Sequence, residues 1–290
     1  MSRSTHIAAF TAFGGCRSKP NAEVRKAMKL ERKYVEKPWG RTDLPPGFDD
    51  GSGRRIGEIW FDDEGAKLPI LVKYLFTSEK LSIQVHPSDE QARAMGEPSG
   101  KEECWYVLGA ERGATIGVGT REAIGGEDLR AAALSGEIEE MIDWKSVKPG
   151  DFFYLKAGTV HAIGAGVSLI EVQQNADITY RLYDYGRPRE LHLDESIAVA
   201  DARPFPEDQH RRIAEDQDRK LVDGPKFVLQ LCGADLAGVT DRAPLWIVPL
   251  SGTVRLEGDE GARGDCLYTE DRHHIHASSD ARMLIAWESA

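Results

Sequence analysis

Short runs of four to eight apolar residues, separated by glycine and proline turns, fill the chain from Arg54 to about Leu191. Runs of this length and spacing are typical of the strands of a β-sandwich or β-barrel. Representative runs are Ile56-Gly-Glu-Ile-Trp-Phe61, Leu68-Pro-Ile-Leu-Val-Lys-Tyr-Leu-Phe76 and Val167-Ser-Leu-Ile-Glu-Val172. The pattern therefore predicts a mainly β protein.

Three helical stretches interrupt the predicted strands. Ser88-Asp-Glu-Gln91 has the spacing of a capping box and predicts a short helix that continues through Met95. Apolar residues at helical spacing predict a second helix between Gly126 and Ile142. A third is predicted from about Asp194 to Asp201.

The charged stretch from Arg203 to Arg219 contains two prolines and predicts a linker or exposed loop. Short strands resume after it, and Gly264-Asp265-Cys-Leu-Tyr268 repeats the pattern of Gly150-Asp151-Phe-Phe-Tyr154. The later unit therefore resembles a weaker copy of the earlier one. We predict a division into residues 28–201 and 202–290, with strands from residues 28–60 available to pair with the second unit.

Residues 1–27 are predicted to form an extension outside the fold. Met28 resembles an initiator methionine, and strand-like alternation begins directly after it. The alternative is a short signal segment that ends at Cys16. Its apolar stretch is marginal and its charged start is weak, so we favour the first interpretation.

Composition narrows the class of protein. Apolar residues make up 41% and charged residues 29% of the 290 residues, which is ordinary for a soluble globular protein. The formal net charge of −11 argues against non-specific binding of nucleic acid. Apolar runs stay far below the roughly 18 to 20 residues of a membrane span, so no membrane association is expected.

The four cysteines show no C-x-x-C spacing and no disulfide-rich density. Such usage predicts a reducing, cytoplasmic location without structural disulfides.

Strand alternation brings out a group of candidate metal ligands. Gln84 and His86 stand two residues apart in a predicted strand, so their side chains leave it on one face. Glu103 shares a face with Lys101 and Trp105, which makes it a better candidate ligand than Glu102.

The last candidate ligand follows the glycine turn of Gly158-Thr-Val-His161, which places His161 at the start of a returning strand. Two imidazoles, one carboxylate and one amide oxygen suit zinc or a similar divalent ion. The segment His273-His274-Ile-His276 invites a second metal assignment, because His274 and His276 would share a strand face. We favour a polar surface loop there, because the sequence offers no suitably placed carboxylate.

Several segments together resemble a known family. They are Lys37-Pro-Trp-Gly40, Gly57-Glu-Ile-Trp60, Leu81-Ser-Ile-Gln-Val-His-Pro87, Gly100-Lys-Glu-Glu-Cys-Trp-Tyr106, Gly158-Thr-Val-His-Ala162 and Glu171-Val-Gln-Gln-Asn-Ala-Asp-Ile-Thr-Tyr-Arg-Leu-Tyr-Asp-Tyr-Gly-Arg187. In these segments the chain resembles the type I phosphomannose isomerases (mannose-6-phosphate isomerases) of the bicupin class. The match runs from about Leu30 to Ala200, and beyond Ala202 it rests on the bicupin pattern alone.

This resemblance implies two cupin-type, jelly-roll β-barrels with small helical insertions, the second of them degenerate. It implies one zinc ion per chain and interconversion of mannose 6-phosphate with fructose 6-phosphate by a monomer or homodimer. The family's metal ligands fall on Gln84, His86, Glu103 and His161, its catalytic arginine on Arg181, and its sugar-phosphate contacts on Ser82 and Lys101. Glu102, Lys156 and Ala176 depart from the residues usual in the family, and none of them removes a ligand.

Isomerisation through an enediolate also needs a general base. Glu171 is the first candidate, because its separation from Arg181 is even and would place both on one face of an unbroken strand. Lys101 is the second, because a lysine beside a metal in a closed site can have its pKa lowered.

Three other functions compete with this hypothesis. They are an isomerase for another aldose or aldose phosphate, a non-catalytic sugar-sensing cupin, and a metal-dependent oxygenase. Retention of Arg181, Lys101 and Glu171 argues against the sensor. Gln84, where iron cupins usually carry histidine, argues against the oxygenase.

Overall fold

The computed structural model describes residues 27–63, 68–214, 216–242 and 244–289. The predicted extension of residues 1–27 lies outside these ranges except for Ala27, and so does Cys16. The fold is mainly β, as the spacing of the apolar runs predicts.

Strands account for most of the regular structure. In chain order the first twelve are β1 (Ala27–Lys29), β2 (Arg32–Arg41), β3 (Ile56–Phe61), β4 (Ile70–Phe76), β5 (Ile83–Val85), β6 (Glu103–Ala110), β7 (Thr115–Thr120), β8 (Ile142–Ser146), β9 (Asp151–Leu155), β10 (His161–Ile163), β11 (Val167–Gln174) and β12 (Tyr180–Tyr183). The other nine are β13 (His210–Arg212), β14 (Arg219–Asp223), β15 (Phe227–Cys232), β16 (Leu245–Ser251), β17 (Val254–Leu256), β18 (Asp259–Gly261), β19 (Leu267–Thr269), β20 (His276–Ala277) and β21 (Arg282–Glu288).

The helices are few and short. They are α1 (Asp89–Ala94), α2 (Gly126–Ser135), α3 (Ile138–Met141) and α4 (Leu193–Val199), with 3₁₀ turns at Glu207–Gln209 and Arg272–His274. Ser88 caps α1, and Gln91 completes the predicted capping box. The single helix predicted up to Ile142 is wrong, because Gly136 adopts a φ of 88° and ends α2. A single turn, α3, follows before the chain enters β8.

Three large sheets carry the architecture. A seven-stranded sheet has the order β13-β9-β6-β11-β4-β3-β2, a five-stranded sheet the order β12-β5-β10-β7-β8, and a six-stranded sheet the order β1-β19-β16-β21-β15-β14. A small sheet of β18, β17 and β20 completes the fold. Among the described residues, no recorded pairing joins these sheets into closed barrels.

The seven-stranded sheet is the middle layer of the molecule. One of its faces packs against the six-stranded sheet through a core that includes Tyr74, Phe76, Trp246 and Leu284. Its other face packs against the five-stranded sheet through Trp105, Val107, Ile116 and Ile163, among others. Burial from both sides explains why every residue of β4 is buried.

The stretch between Arg203 and Arg219 is more ordered than the linker prediction implies. Its central part forms β13, which pairs with β9 at the edge of the seven-stranded sheet. The histidine-rich segment combines a 3₁₀ turn with β20, and His274 lies 3.2 Å from Glu257. None of the described helices is long and apolar enough to cross a membrane.

Candidate metal centre and active-site cavity

Two rows of side chains face each other across the gap between the five-stranded and seven-stranded sheets. In the five-stranded sheet, Gln84 pairs with His161 on one side and with Arg181 on the other. In the seven-stranded sheet, Glu171 pairs with Lys73 on one side and with Trp105 on the other. The two walls enclose one cavity of about 370 Å³, and six candidate residues that are far apart in sequence line it: Ser82, Gln84, Lys101, His161, Glu171 and Arg181.

The two candidate histidines are held with the same ring nitrogen open. His86 Nδ1 lies 2.7 Å from the carbonyl of Ile178, and His161 Nδ1 lies 2.8 Å from the carbonyl of Thr159. A carbonyl only accepts, so each Nδ1 carries the proton and each Nε2 presents a lone pair. This orientation by a backbone carbonyl is characteristic of histidines that bind a metal.

Both imidazoles are also kept neutral. Burial lowers the pKa of His86 well below its ordinary value, and it lowers the pKa of His161 to about 4. Metal ligation by histidine requires the neutral ring, so these shifts favour it.

Glu103 completes a compact group with the two histidines. Its carboxylate lies 3.6 Å from His86 Nε2 and 3.4 Å from His161 Nε2, and the three ligand atoms all lie within 4.8 Å of one another. Glu103 Oε1 and His86 Nε2 are buried without a hydrogen-bond partner. Unpaired buried polar atoms are costly, so their convergence fits a site built to hold a divalent cation.

Gln84 lies at the edge of this group. Its Nε2 is 3.3 Å from His161 Nε2, while its Oε1 accepts a hydrogen bond of 3.0 Å from Ser82 Oγ. A half-turn of the amide would present Oε1 to the histidines, and Ser82 Oγ could then accept from Nε2. Gln84 can therefore contribute an amide oxygen to the same cation.

Lys101 does not have the lowered pKa that the sequence hypothesis assigned to it. Its Nζ lies 2.8 Å from Glu103 and 3.8 Å from Glu171. Burial alone would lower its pKa, but these two carboxylates outweigh burial and raise it. In this geometry Lys101 is an ammonium and a hydrogen-bond donor.

Glu171 is held at both carboxylate oxygens. Lys73 Nζ donates to Oε1 at 3.1 Å, and Trp105 Nε1 donates to Oε2 at 3.0 Å. Burial would raise the pKa of Glu171, but Lys101 and Lys73 reverse that effect and lower it. The carboxylate is therefore ionised in the resting site.

The unbroken strand that was expected to join Glu171 to Arg181 does not exist. β11 ends at Gln174, and β12 begins at Tyr180 in the other sheet. The two side chains still line the same cavity, because they approach it from opposite walls.

Glu102 points away from the cavity into a different environment. Its carboxylate accepts a hydrogen bond of 2.6 Å from Tyr154 Oη. The strand alternation that separated it from Glu103 thus holds in the structure.

Sequence reasoning missed several residues that line the cavity: Lys37, Glu58, Trp60, Lys73, Asp177, Thr179, Arg189 and His192. One signal was available for Lys73, because a single lysine in the otherwise apolar run of β4 needs a buried partner. Lys37, Glu58 and Trp60 reach the cavity through strand order, and the remaining four residues lie outside the strands. The chain's periodicity encodes neither.

Comparison with known proteins adds an independent line of support. Residues 52–108 match the sequence model of the phosphomannose isomerase type I catalytic domain. The family resemblance is confirmed. The chain is 46% identical over 169 residues to mannose-6-phosphate isomerase ManA of Bacillus subtilis, and 41% identical over 148 residues to mannose-6-phosphate isomerase of Streptococcus mutans.

These matches to type I phosphomannose isomerases cover part of each protein. The alignment with the Bacillus relative covers 53% of this chain and 53% of that relative. The alignment with the Streptococcus relative covers 49% of this chain and 46% of that relative. The chain thus spans about half the length of the curated relatives it matches.

Solved structures extend the likeness over the whole fold. The crystal structure of mannose 6-phosphate isomerase from Bacillus subtilis superposes with a TM-score of 0.74 at 25% identity, covering 90% of this chain and 99% of that one. A zinc-bound mannose 6-phosphate isomerase superposes with a TM-score of 0.69 at 15% identity, covering 92% and 100%, and shows the shared fold.

Proposed function

We propose that this chain is a metal-dependent aldose–ketose isomerase that interconverts mannose 6-phosphate and fructose 6-phosphate. The observation that carries the proposal is the convergence of open ligand atoms from His86, Glu103 and His161 within 4.8 Å. His161 of this group lines a cavity together with Lys101 and Arg181. The match to the type I catalytic domain and the names of the relatives support the choice of reaction.

We propose that one zinc ion is held by Gln84, His86, Glu103 and His161. The donor set of two imidazole nitrogens, a carboxylate and an amide oxygen suits zinc, and the zinc-bound structural neighbour supports this choice. When bound, the ion supplies Lewis acidity that stabilises negative charge developing on a sugar oxygen.

The remaining polar side chains would orient the sugar and move its proton. Lys101 is charged, so it is assigned to donate hydrogen bonds to the oxygen on which charge develops. Ser82 and Arg181, on the five-stranded wall, are assigned to bind the substrate. Glu171 remains our proposed base for the proton that moves between C1 and C2, because it is ionised whereas Lys101 is protonated.

We also propose the organisation and setting of the enzyme. Residues 28–201 would carry the metal site and residues 202–290 a second, degenerate cupin. The residues that line the cavity all fall between Lys37 and His192, which supports this division. The described cysteines, Cys104, Cys232 and Cys266, are free and buried, which supports a cytoplasmic location. We propose that the enzyme is a monomer or homodimer.

A coupled assay for fructose 6-phosphate formed from mannose 6-phosphate tests the proposed function. The wild-type protein is expected to form fructose 6-phosphate, to lose this activity when a chelator removes the metal, and to regain it when zinc is restored. Arg181→Ala is expected to lose most of its activity while keeping its zinc.

Two outcomes would contradict this function. Activity that survives complete metal removal would refute the metal-dependent mechanism. Tight binding of phosphorylated aldoses without turnover would favour a sugar-sensing cupin.

A further inference from the structure

The cations that line the cavity differ in how they are neutralised. Each lysine has a carboxylate partner: Lys37 Nζ lies 3.3 Å from Glu58, Lys73 Nζ 3.1 Å from Glu171, and Lys101 Nζ 2.8 Å from Glu103. Trp60 Nε1 also donates to Glu58, on the same wall as Lys37 and Lys73. The lysines on this side of the cavity are therefore already compensated.

Arg181 on the five-stranded wall has no such partner. Within the described ranges, no carboxylate lies within 4.0 Å of its guanidinium, and its Nε donates to the carbonyl of Glu190 at 3.0 Å. Burial, together with the charge of nearby Arg189, lowers the pKa of Arg181, although the charges of Asp184, Glu190 and Asp177 act in the opposite direction. Two guanidinium groups that repel each other at a cavity wall create a position that an anion would stabilise.

The loop after β12 holds Arg189 in place through a buried carboxylate. Arg189 Nε and Nη2 each donate to Asp184 at 2.6 Å, and Arg187 Nη1 donates to the same carboxylate at 3.0 Å. Asp184 is only 2% exposed. A guanidinium has five N–H groups, so Arg189 keeps three for another acceptor.

The turn between these residues has an unusual backbone. Tyr185 has a φ of 54° and Gly186 a φ of 76°. A tyrosine in the left-handed region is uncommon and costs conformational energy. The turn brings the chain back so that the arginines at 187 and 189 can both reach Asp184.

His192 stands on the same loop beside Arg181. Its Nδ1 accepts from the backbone N–H of Arg181 at 3.2 Å, and its own N–H donates to the Arg181 carbonyl at 2.9 Å. Because Nδ1 accepts, a neutral ring carries its proton on Nε2. His192 Nε2 has no recorded hydrogen-bond partner in the part of the chain that the structure describes.

We propose that Arg189 and His192, beside Arg181, form the subsite that binds the phosphate group of the substrate. This inference rests on the proposed function, because a hexose 6-phosphate carries its phosphate at the opposite end from the carbons that react. Arg181 stands two strands away from His161 in one row of the sheet, a span of about 10 Å. Gln84 and His161 of the metal group thus share one wall of the cavity with Arg181. Asp184 acts as a positioning residue for Arg189.

Inorganic phosphate is the probe that tests this subsite, with its affinity measured on the zinc-loaded full chain. Arg189→Gln is expected to weaken phosphate binding about tenfold or more, because a charged hydrogen bond is lost. Asp184 keeps Arg187 as its partner in this variant, so the loop is expected to stay folded. His192→Asn is expected to weaken binding about threefold, because Oδ1 can still accept from Arg181 while the Nε2 donor is gone.

Arg187→Gln is the matched control. Arg187 shares Asp184 but also donates to the carbonyl of Lys80 at 2.7 Å and is not among the residues that line the cavity. The phosphate affinity of this variant is expected to stay within about twofold of wild type, because Arg187 could add at most a weak, peripheral hydrogen bond. Zinc content, measured in every variant, reports that the site is intact.

For the isomerase reaction, Arg189→Gln is expected to raise KM for mannose 6-phosphate more than it lowers kcat. Unchanged phosphate affinity in both Arg189→Gln and His192→Asn would overturn the inference. Weakened binding in Lys37→Gln, with none in Arg189→Gln, would also overturn it and place the phosphate on the opposite wall. The protein could also bind phosphate in a way that depends on Arg189 and yet show no isomerase activity. That result would support the phosphate subsite and refute the proposed reaction.

Discussion

Glu102 and Glu103 are adjacent in sequence and occupy opposite environments. Glu103 faces the histidines in the gap between the five-stranded and seven-stranded sheets, whereas Glu102 accepts a hydrogen bond from Tyr154 on the other side of the strand. Both carboxylates are buried. Their different roles follow from the two-residue period of a β-strand alone.

This pair allows a matched substitution. Glu103→Gln is expected to weaken zinc binding at least 10- to 100-fold, because the anionic ligand becomes a neutral amide. Glu102→Gln is expected to leave zinc affinity unchanged while affecting only its contact with Tyr154. Zinc affinity is measured by competition with a chromogenic chelator, and equal losses in the two variants would show that Glu103 is not a ligand.

The alternation of side chains along a strand is enough to predict which residues share a face. It does not predict a pKa that depends on charges from several strands. The grouping of Gln84, His86, Glu103 and His161 on facing walls could be anticipated from alternation and motif. The raised pKa of Lys101 could not, because it depends on carboxylates that β6 and β11 bring together. Arg189 and His192 gave no periodic signal, since they lie on a loop.

At the scale of elements, the site depends on two segments that cross closely. The backbone N–H of Lys101 donates to the carbonyl of Pro87 at 3.0 Å, and the N–H of Gly100 donates to Asp89 at 2.9 Å. A Cβ at position 100 would lie 2.4 Å from the carbonyl oxygen of Pro87. This crossing fixes the segment after β5, which carries His86, against the start of β6, which carries Glu103.

Gly100→Ala is therefore expected to lower the free energy of unfolding by about 1 to 3 kcal/mol and to reduce zinc affinity as well. Gly96→Ala is the control. Its Cβ meets open space, although a φ of 87° adds strain of about 1 kcal/mol. Denaturant unfolding and zinc titration of both variants check this. An equal loss of zinc affinity in Gly100→Ala and Gly96→Ala would mean that the crossing does not position the metal ligands.

The existence of strands could be predicted from the spacing of apolar runs, whereas their order in the sheets could not. The break between Gln174 and Tyr180 moves the chain from one sheet to the other, and no local pattern announces that change. The prediction of one helix through Ile142 was wrong because apolar residues continue at helical spacing past Gly136, whereas the backbone leaves the helical conformation there.

At the scale of the whole molecule, Asp89 connects the metal-bearing layers to the six-stranded sheet. Lys226, in the turn between β14 and β15, donates to Asp89 at 2.5 Å. Burial would raise the pKa of Asp89, but hydrogen bonds from Lys226, Gln174 and the Gly100 N–H outweigh it and bring the pKa to about 2.

The lowered pKa gives a signed pH prediction. Asp89 stabilises the fold fully above its unfolded pKa of about 3.8, and this stabilisation is lost as the pH falls towards 2. Asp89→Asn should cost about 2 kcal/mol at pH 7, and its difference from wild type should shrink below about pH 4. Urea midpoints between pH 3 and pH 7 measure this, with exposed Glu90→Gln as control. A stability difference between Asp89→Asn and wild type that stays the same from pH 3 to pH 7 would contradict the assignment of this pH dependence to Asp89.

The pairing of β1 with β19 has a consequence for how the protein is made. Residues 27–29 pair with residues 267–269, so the first described strand cannot pair until residue 269 has been synthesised. Until then the edge of the six-stranded sheet is incomplete, and pairing over so long a separation is slow. An unpaired strand can recruit other chains, so the interval before β1 pairs with β19 favours aggregation.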